Sequence, residues 1–236
     1  QIKKIFPQAT TIRMDIDTVS KKNSHEKILE KFKNDNIDIL IGTQMVVKGH
    51  HFPNVTLVGV VSADGSLNLG DYRATERTFQ ILTQVAGRAG RDKLPGKVII
   101  QTYEPENYCI ELAKKQNYVE FYNTEIALRK QLKYPPFCDI IIIGFSGTNE
   151  ENVIKTSKHV HNYLKEKVIG ENMPILLYSA IPAPIDKIKN KYRWRILIKC
   201  KLDDKIISLV NSALKISYKL SQNIRTIADI NPSNMM

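Results

Sequence analysis

The stretch Gln84-Val85-Ala86-Gly87-Arg88-Ala89-Gly90-Arg91 decides how the first part of this chain is interpreted. On a helix Gln84, Arg88 and Arg91 lie at positions i, i+4 and i+7, so an amide and two guanidinium groups line one face. A glycine inside a helix costs about 1 kcal/mol relative to alanine, so Gly87 and Gly90 indicate that something approaches the backbone closely. A face of this composition suits a polyphosphate.

A second stretch, Gly42-Thr43-Gln44-Met45-Val46-Val47-Lys48-Gly49, precedes the first. Thr43 follows a predicted strand, where its hydroxyl can hydrogen-bond a phosphate of nucleic acid or of a nucleotide. Gly42 permits close backbone approach, and Lys48 follows in the loop. Taken alone, a Gly-Thr-Gln segment after a strand is equally typical of an ordinary turn.

Together the two stretches resemble motifs V and VI of superfamily 2 helicases, which belong to the second of two RecA-like lobes. The resemblance implies that Arg91 is the arginine finger, with Arg88 beside it and Gln84 contacting phosphate or the attacking water. The alternative interpretation of this helix end is a solvated basic surface whose glycines serve packing.

The same resemblance implies nucleotide contacts at Gly49 and Gly87, and nucleic-acid contacts at Thr43 and Lys48. His51 stands where many superfamily 2 proteins have the aspartate that binds the nucleotide ribose.

Two parts of a complete ATPase site are missing from the sequence. No phosphate-binding loop of the form G-x-x-x-x-G-K-[ST] occurs, and the segment from Gly65 to Gly70 is followed by Asp71-Tyr72. No Asp-Glu pair follows an apolar strand. Because the sequence starts at Gln1, we expect a fragment that carries half of an ATP and Mg²⁺ site and does not hydrolyse ATP alone.

Alternating elements predict an α/β fold for residues 1–105, a RecA-like lobe with a parallel sheet. Its predicted strands are 10–14, 37–41, 55–61 and 97–102, and its predicted helices are 24–34 and 72–89. Residues 106–137 are predicted to be a helical connector, because Tyr134-Pro135-Pro136 cannot continue a helix. The remaining 138–236 has the βαββαβ order of a ferredoxin-like domain. Its predicted strands are 138–146, 175–180, 192–201 and 224–230, and its predicted helices are 150–167 and 203–219.

Basic residues alternate with apolar ones between positions 187 and 201. The alternation predicts a single strand with seven positive charges on one face, and they are Lys187, Lys189, Lys191, Arg193, Arg195, Lys199 and Lys201. Such a face suits nucleic acid or an acidic peptide, with Tyr192 or Trp194 stacking on bases. The competing interpretation is an edge strand protected by lysines against aggregation, with Trp194 in the core.

Composition supports an acidic partner and excludes several classes of protein. The net charge is +11, with 42% hydrophobic and 25% charged residues, and most of the excess charge falls after residue 105. Cys109, Cys138 and Cys200 form no C-x-x-C pair, which favours a reducing, cytoplasmic setting. We expect no bound metal, because His159 and His161 point apart on a helix and His50-His51 lacks partners at ligand spacing. No apolar run is long enough to cross a membrane.

Several longer segments carry a more specific resemblance. They are the run from Lys48 to Val58, Asp71 to Arg77, Gln84 to Arg91, Tyr134 to Phe137, Pro182 to Ile185, Tyr192 to Arg195, and Ala228 to Pro232. In these segments the chain is similar to the primosomal protein N′ family of replication-restart helicases, over nearly its whole length.

This resemblance implies a 3′-to-5′ DNA helicase that acts on abandoned replication forks. The implied partners are forked and single-stranded DNA, single-stranded DNA-binding protein and other primosome proteins. Zinc is expected only in a cysteine-rich module upstream of this sequence.

Two other kinds of protein remain compatible with the residues. One is a different superfamily 2 translocase that acts on RNA or remodels DNA. The other is a non-enzymatic DNA-binding module that has kept a degenerate helicase lobe. A G-x-x-x-x-G-K-[ST] loop and paired zinc cysteines upstream would distinguish the restart helicase from both.

Overall fold

The computed structural model describes residues 1–15, 24–43, 46, 54–87 and 96–235. The chain forms two compact units that are interleaved in sequence. The first consists of Gln1–Leu67 and Thr75–Tyr118, and the second of Asn68–Ala74 and Val119–Met236. The predicted connector, 106–137, is thus divided between the two units at Tyr118.

Short strands and helices alternate in the first unit. Its described strands are β1 (Thr11–Met14), β2 (Ile39–Gly42), β3 (Leu57–Val60) and β4 (Lys97–Ile100). Its helices are α1 (Ile2–Ile5), α2 (Ser24–Asn34), α3 (Asp64–Leu67), α4 (Ala74–Ala86) and α5 (Tyr108–Lys114). β1 pairs with β2 and β3 pairs with β4, both in parallel, and this arrangement confirms the predicted α/β class.

Helix α4 is held by one buried stripe. The buried side chains recur every three or four residues, as the period of a helix requires, and they are Ala74, Thr78, Phe79, Leu82 and Val85. Phe79 lies 6.3 Å from Tyr118 between ring centroids, and the Cys109 thiol lies 3.4 Å from the Thr75 carbonyl oxygen. These contacts pack α4 against α5 and against Tyr118, which begins the next helix after α5, within the first unit.

The helical connector predicted over residues 106–137 contains two helices with a break between them, rather than one continuous helix. α5 ends at Lys114 and α6 spans Tyr118–Gln131. Between them Gln116 adopts a left-handed conformation with φ of 52°, and Asn117 N donates to Leu112 O at 2.9 Å. This pattern closes a helix end without glycine or proline, so neither residue type was present to signal the break.

The second unit is an antiparallel sheet with two helices. Its strands are β5 (Asp139–Gly147), β6 (Leu176–Leu177), β7 (Ile181–Ile188), β8 (Lys191–Cys200) and β9 (Arg225–Ile230), and its helices are α7 (Glu150–Gly170) and α8 (Asp204–Leu220). The strand order is β6-β8-β5-β9, and every neighbouring pair is antiparallel. Asn149 and Asp203 cap the two helices by accepting hydrogen bonds from Asn152 N and Ile206 N.

The core of this unit lies between the two helices and one face of the sheet. The face consists of alternate residues of β5 and β8, which are Ile141, Ile143, Phe145, Ile196, Ile198 and Cys200. Helix α7 contributes Val153, Val160 and Leu164, and α8 contributes Ile206, Leu209, Val210 and Ala213. The opposite face of the sheet carries Arg193, Arg195, Leu197 and Lys199 on β8.

Strand β7 was absent from the predicted elements because it contains Pro182 and Pro184. Proline cannot donate a ladder hydrogen bond, and it is accepted in strands at sheet edges and bulges. β7 pairs with the first half of β8, and β6 pairs with the second half, so both short strands lie along the same edge of β8. The β7 register shifts between Pro182 and Lys187, as expected for a bulge.

Asp139 and Asn231 close the sheet where β5 begins and β9 ends. The Asp139 carboxylate accepts hydrogen bonds from Leu202 N at 2.9 Å and from Asn231 Nδ2 at 2.8 Å. Asn231 adopts φ of 49°, and its Oδ1 accepts from Ile140 N at 3.0 Å. The donors lower the pKa of Asp139, the Leu202 amide having the largest effect.

We predict that Asp139→Asn weakens the acid sensitivity of the second unit. A carboxyl whose pKa is lowered by folding stabilises the native state above its unfolded pKa of about 3.9, and this contribution is lost as pH falls through the folded value. The measurement is the free energy of unfolding in urea at pH 7 and at pH 3, followed by the fluorescence of Trp194, the one tryptophan of the sequence. The loss of this free energy between the two pH values should be smaller in Asp139→Asn than in the unmutated protein. Glu166→Gln on the exposed side of α7 is the control, and equal acid sensitivity in both variants contradicts the prediction.

Candidate functional site

The carboxyl ends of β1 and β2 meet at one edge, because the two strands are parallel. Asp15 follows β1 and is buried, and Thr43 follows β2 and is exposed. A Cβ atom on Gly42 would overlap with Val46 Cγ2 and would lie 2.5 Å from Met14 O. The backbone at Gly42 therefore leaves no room for a side chain beside Met14 and Val46, and an approach of nucleic acid or nucleotide at Gly42 stays a prediction.

Helix α4 presents Gln84 on its solvent side, opposite the buried stripe. Gly87 directly follows the helix, and its amide donates to Thr83 O at 3.1 Å. The other residues predicted for this site, Lys48, Gly49, Arg88 and Arg91, lie outside the described residues. Among the predicted nucleotide-contacting groups, the structure therefore places Gln84 and Gly87 at one helix end, and Thr43 at a strand end.

The seven basic residues predicted to share one strand face do not share it. Lys187 belongs to β7, and Lys189 lies in a two-residue turn before β8 with φ of 47°. Asn190 follows with φ of 63°, and two successive positive φ angles are typical of the type I′ hairpin turn. Lys201 follows the end of β8, so Lys191, Arg193, Arg195 and Lys199 remain on the predicted face.

The tip of this hairpin carries its exposed charges. Lys187 is paired with Tyr192 across the two strands, its Nζ lying 3.0 Å from the Tyr192 hydroxyl and 4.3 Å from the ring centroid. The hydrogen bond to Tyr192 raises the pKa of Lys187. Lys189 and Lys191 are exposed beside this pair. Lys187 thus covers part of the ring that was predicted to stack on a base.

Further along β8, Arg195 and Lys199 are directed into the protein. Arg195 Nη1 donates to the Met235 carbonyl oxygen, and burial lowers the pKa of this guanidinium. Lys199 is only 4% exposed, and its Nζ donates to Leu132 O at 2.8 Å. Both residues were predicted to belong to an open basic face, and for Lys199 that prediction was wrong.

An aromatic cluster surrounds the Lys199 ammonium. Its Nζ lies 3.4 Å from the centroid of the Tyr134 ring and 5.6 Å from that of Tyr178. Tyr134 in turn stacks on Tyr72, with centroids 5.2 Å apart and planes 14° apart. The guanidinium groups of Arg73 and Arg129 lie 4.7 and 5.1 Å from the Tyr72 centroid. Sequence periodicity gave no signal for this cluster, because its members come from four separate segments.

Within the described part of the chain, no group of three or more His, Cys, Asp and Glu side chains is arranged to hold a metal ion. Burial raises the pKa of Cys200 to about 11, so its thiol is un-ionised near neutral pH. Cys109 is also buried, and Cys138 is partly exposed.

None of the helices in the described segments is both long and apolar enough for a membrane span.

Comparison with known proteins defines the class of each half of the chain. Residues 5–93 match the family described as Helicase conserved C-terminal domain. Residues 130–233 match the family described as Primosomal protein N C-terminal domain. The chain thus combines a helicase C-terminal domain with a domain of primosomal proteins.

Curated relatives match this combination over the whole chain. "Replication restart protein PriA" of Bacillus subtilis is 43% identical and covers 100% of the chain, which spans 29% of that protein. The protein of the same name from Chlamydia pneumoniae is 39% identical over 98% of the chain, and the chain spans 30% of that protein. The one from Borreliella burgdorferi is 36% identical over 100% of the chain, and the chain spans 35% of it. The chain belongs to the PriA family of replication restart proteins, and it spans about a third of the length of these relatives.

We predict that Trp194→Ala destabilises the second unit by roughly 3 kcal/mol, because the indole packs against its core. The native protein should emit at a short, buried wavelength. Tyr192→Ala, two residues nearer the hairpin tip, is the matched control and should cost less stability. Emission at a solvent-exposed wavelength, strongly quenched by single-stranded DNA, would show that the two faces of β8 are reversed.

Proposed function

We propose that this chain is the carboxyl-terminal part of an ATP-dependent 3′-to-5′ DNA helicase of superfamily 2, which restarts stalled replication forks. The main support for this proposal is that one chain matches the helicase C-terminal domain over residues 5–93 and the primosomal C-terminal domain over residues 130–233. Relatives named "Replication restart protein PriA" align with both parts and the segment between them.

In this proposal the first unit is a RecA-like lobe that supplies half of the ATP site. Arg91 stabilises charge on the transferring phosphoryl group, Arg88 supports it, and Gln84 contacts phosphate or orients the attacking water. Gly49 and Gly87 allow the nucleotide to approach the backbone. The exposed amide of Gln84 at the end of α4 fits this role. ATP and Mg²⁺ are bound mainly by the other lobe, so the isolated chain is inactive.

We infer that the second unit is a ferredoxin-like domain. The support is its β5-α7-β6/β7-β8-α8-β9 order, its β6-β8-β5-β9 sheet, its antiparallel neighbours and the packing of both helices on one face. In this domain the hairpin tip binds DNA phosphates through Lys187, Lys189, Lys191 and Arg193. Tyr192 and Arg195 belong to the same surface in the proposal, although Arg195 also contacts Met235.

Thr43 and Lys48 complete the proposed DNA path on the first unit. The whole protein acts in the cytoplasm, with single-stranded DNA-binding protein and other primosome proteins as partners. Zinc, in this proposal, belongs to a module upstream of the sequence.

Arg91→Ala tests the ATPase proposal in the full-length protein that contains this chain. Loss of an arginine finger should lower DNA-stimulated hydrolysis by about 10³-fold, because the developing phosphoryl charge loses its main cation. Purified residues 1–236 should release phosphate only at background rate. Near-normal turnover of Arg91→Ala would remove this residue from the mechanism.

The DNA-binding proposal predicts a specific change in salt dependence. Neutralising one phosphate-binding cation lowers the slope of log K against log salt by about 0.7 to 0.9, so the triple variant Lys189→Ala, Lys191→Ala, Arg193→Ala should reduce it by about 2 to 3. Titrations of single-stranded DNA against residues 1–236 at several salt concentrations provide the measurement.

The control for this titration removes the same charge elsewhere on the second unit. Lys158, Lys165 and Lys205 are exposed on α7 and α8, and their replacement by alanine should leave the slope nearly unchanged. Equal slopes for the two triple variants would contradict a specific role of the hairpin tip.

A further inference from the structure

One row of three residues crosses the face of the sheet that lies opposite the helices of the second unit. Ser146 of β5 is paired with Arg193 of β8 on one side and with Arg225 of β9 on the other. Because two antiparallel strand pairs separate them, the Cα atoms of Arg193 and Arg225 lie about 10 Å apart. The row therefore places a hydroxyl group between two guanidinium-bearing side chains on one surface.

The two arginines of this row are available to a ligand. Arg225 is exposed, and it has no ion pair with any carboxylate that the structure describes. Arg193 donates one hydrogen bond, from Nη1 to Ile185 O at 3.2 Å, and a guanidinium group has five N–H donors. In the neighbouring row Arg195 is instead engaged by the Met235 carbonyl oxygen. Arg193 and Arg225 are therefore the two arginines with free donors on the described part of this face.

Gly144 lies beside this row in the central strand β5, and packing within the protein does not require a glycine there. Among the described residues, a Cβ atom at this position would meet Ile227 Cγ1 alone within 4 Å, at an ordinary van der Waals distance of 3.6 Å. By contrast, a Cβ atom on Gly147 would lie 3.1 Å from Val153 Cγ2, so internal packing accounts for that glycine. Glycine weakens a strand interior, and one that packing does not require marks a place where a ligand approaches the backbone closely.

The row is continuous with the basic hairpin tip of β7 and β8. Lys191 and Arg193 lie on the same face of β8, about 7 Å apart along the strand. On β9 the exposed carboxylate of Asp229 lies two rows beyond Arg225, so a polyanion is directed across the sheet rather than along β9. Arginine, lysine and serine side chains are the groups that commonly contact the phosphates of nucleic acid. The charges therefore match a phosphodiester backbone that runs from the hairpin tip to β9.

We propose that the backbone of single-stranded DNA crosses this face of the sheet from the hairpin tip to β9. Arg193 and Arg225 bind phosphate groups, and the Ser146 hydroxyl donates a hydrogen bond to a phosphate oxygen. The bare backbone of Gly144 allows the strand to lie close to the sheet. This inference rests on the proposed DNA binding of the second unit, and it adds Ser146, Gly144 and Arg225 as contacts beyond the hairpin.

Arg225→Ala tests the proposal in residues 1–236, titrated with a single-stranded oligothymidylate at several salt concentrations. Loss of one phosphate contact should lower the slope of log K against log salt by about 0.7. Arg225→Lys keeps the charge and should keep the slope. Lys215→Ala removes an exposed charge from α8, and this matched control should leave the slope unchanged. Equal slopes for Arg225→Ala and Lys215→Ala overturn the proposal.

Gly144→Ala separates the close approach of DNA from a packing role of this glycine. The added methyl group should weaken oligothymidylate binding severalfold, because it holds the DNA backbone away from the sheet. The midpoint of urea unfolding should stay the same or rise, because alanine costs less than glycine in a strand interior. Gly147→Ala is the comparison, and it should lower that midpoint because its Cβ atom would crowd Val153. Unchanged DNA binding of Gly144→Ala, or a lowered midpoint, overturns the role of Gly144.

An acidic peptide is the other polyanion that suits a basic face, and polyglutamate is the probe for it. Weaker polyglutamate binding by Arg225→Ala, with an unchanged salt slope for DNA, would assign the face to a peptide and overturn the proposal. Failure of unmutated residues 1–236 to bind oligothymidylate in low salt would refute the proposed DNA binding and this path with it. If the hairpin triple variant lowers the slope and Arg225→Ala does not, the hairpin proposal stands and the path across the sheet is refuted.

Discussion

The buried ammonium of Lys199 is the constraint on which the second unit depends. A cation that is 4% exposed must be compensated, because removing an ion from water is costly. Here compensation comes from the Leu132 carbonyl oxygen and the face of the Tyr134 ring. Burial lowers the pKa of Lys199, as expected where no carboxylate is among its described hydrogen-bond partners. The requirement for these partners holds the residues after α6 against β8, and Tyr134 then provides the surface on which Tyr72 stacks.

Strand β8 consequently has two different roles along its length. Its second half is buried on both faces, with Ile198 in the core and Lys199 in the aromatic cluster. Its first half extends with β7 into a hairpin whose tip carries exposed lysines. One pattern of alternating basic and apolar residues thus has two outcomes along β8. At the hairpin tip the lysines are exposed to solvent, and in the second half of the strand the ammonium of Lys199 is buried against its hydrogen-bonding and aromatic partners.

Much of the fold followed from local patterns in the sequence. Helix α2 has its predicted bounds, and α7, α8, β5, β8 and β9 differ from prediction by a few residues at their ends. Periodicity sufficed because each element buries one continuous stripe. Asn190 beside Lys189 was an available sign of a hairpin turn, and it would have removed Lys187 and Lys189 from the predicted strand.

The remaining features depend on contacts between distant segments, which no local pattern encodes. The alternating pattern assigned Lys199 to the charged face of the strand but gave no sign that its side chain is buried. Its burial depends on contacts with Leu132 and Tyr134. Likewise, Asp71 to Arg73 lie in a loop whose attachment to residues 232–235 spans most of the chain. For the proposed ATP site, Gln84 and Gly87 have a described position, and Arg88 and Arg91 stay predictions from the sequence.

We propose that the whole protein to which these two units belong is a motor that moves along DNA. Strand displacement by the full-length protein tests it most directly, with ATP and duplexes that carry either a 3′ or a 5′ single-stranded tail. We expect ATP-dependent separation of the duplex with the 3′ tail and little separation of the duplex with the 5′ tail. Absence of ATP-dependent separation on both substrates, with DNA binding intact, would contradict it.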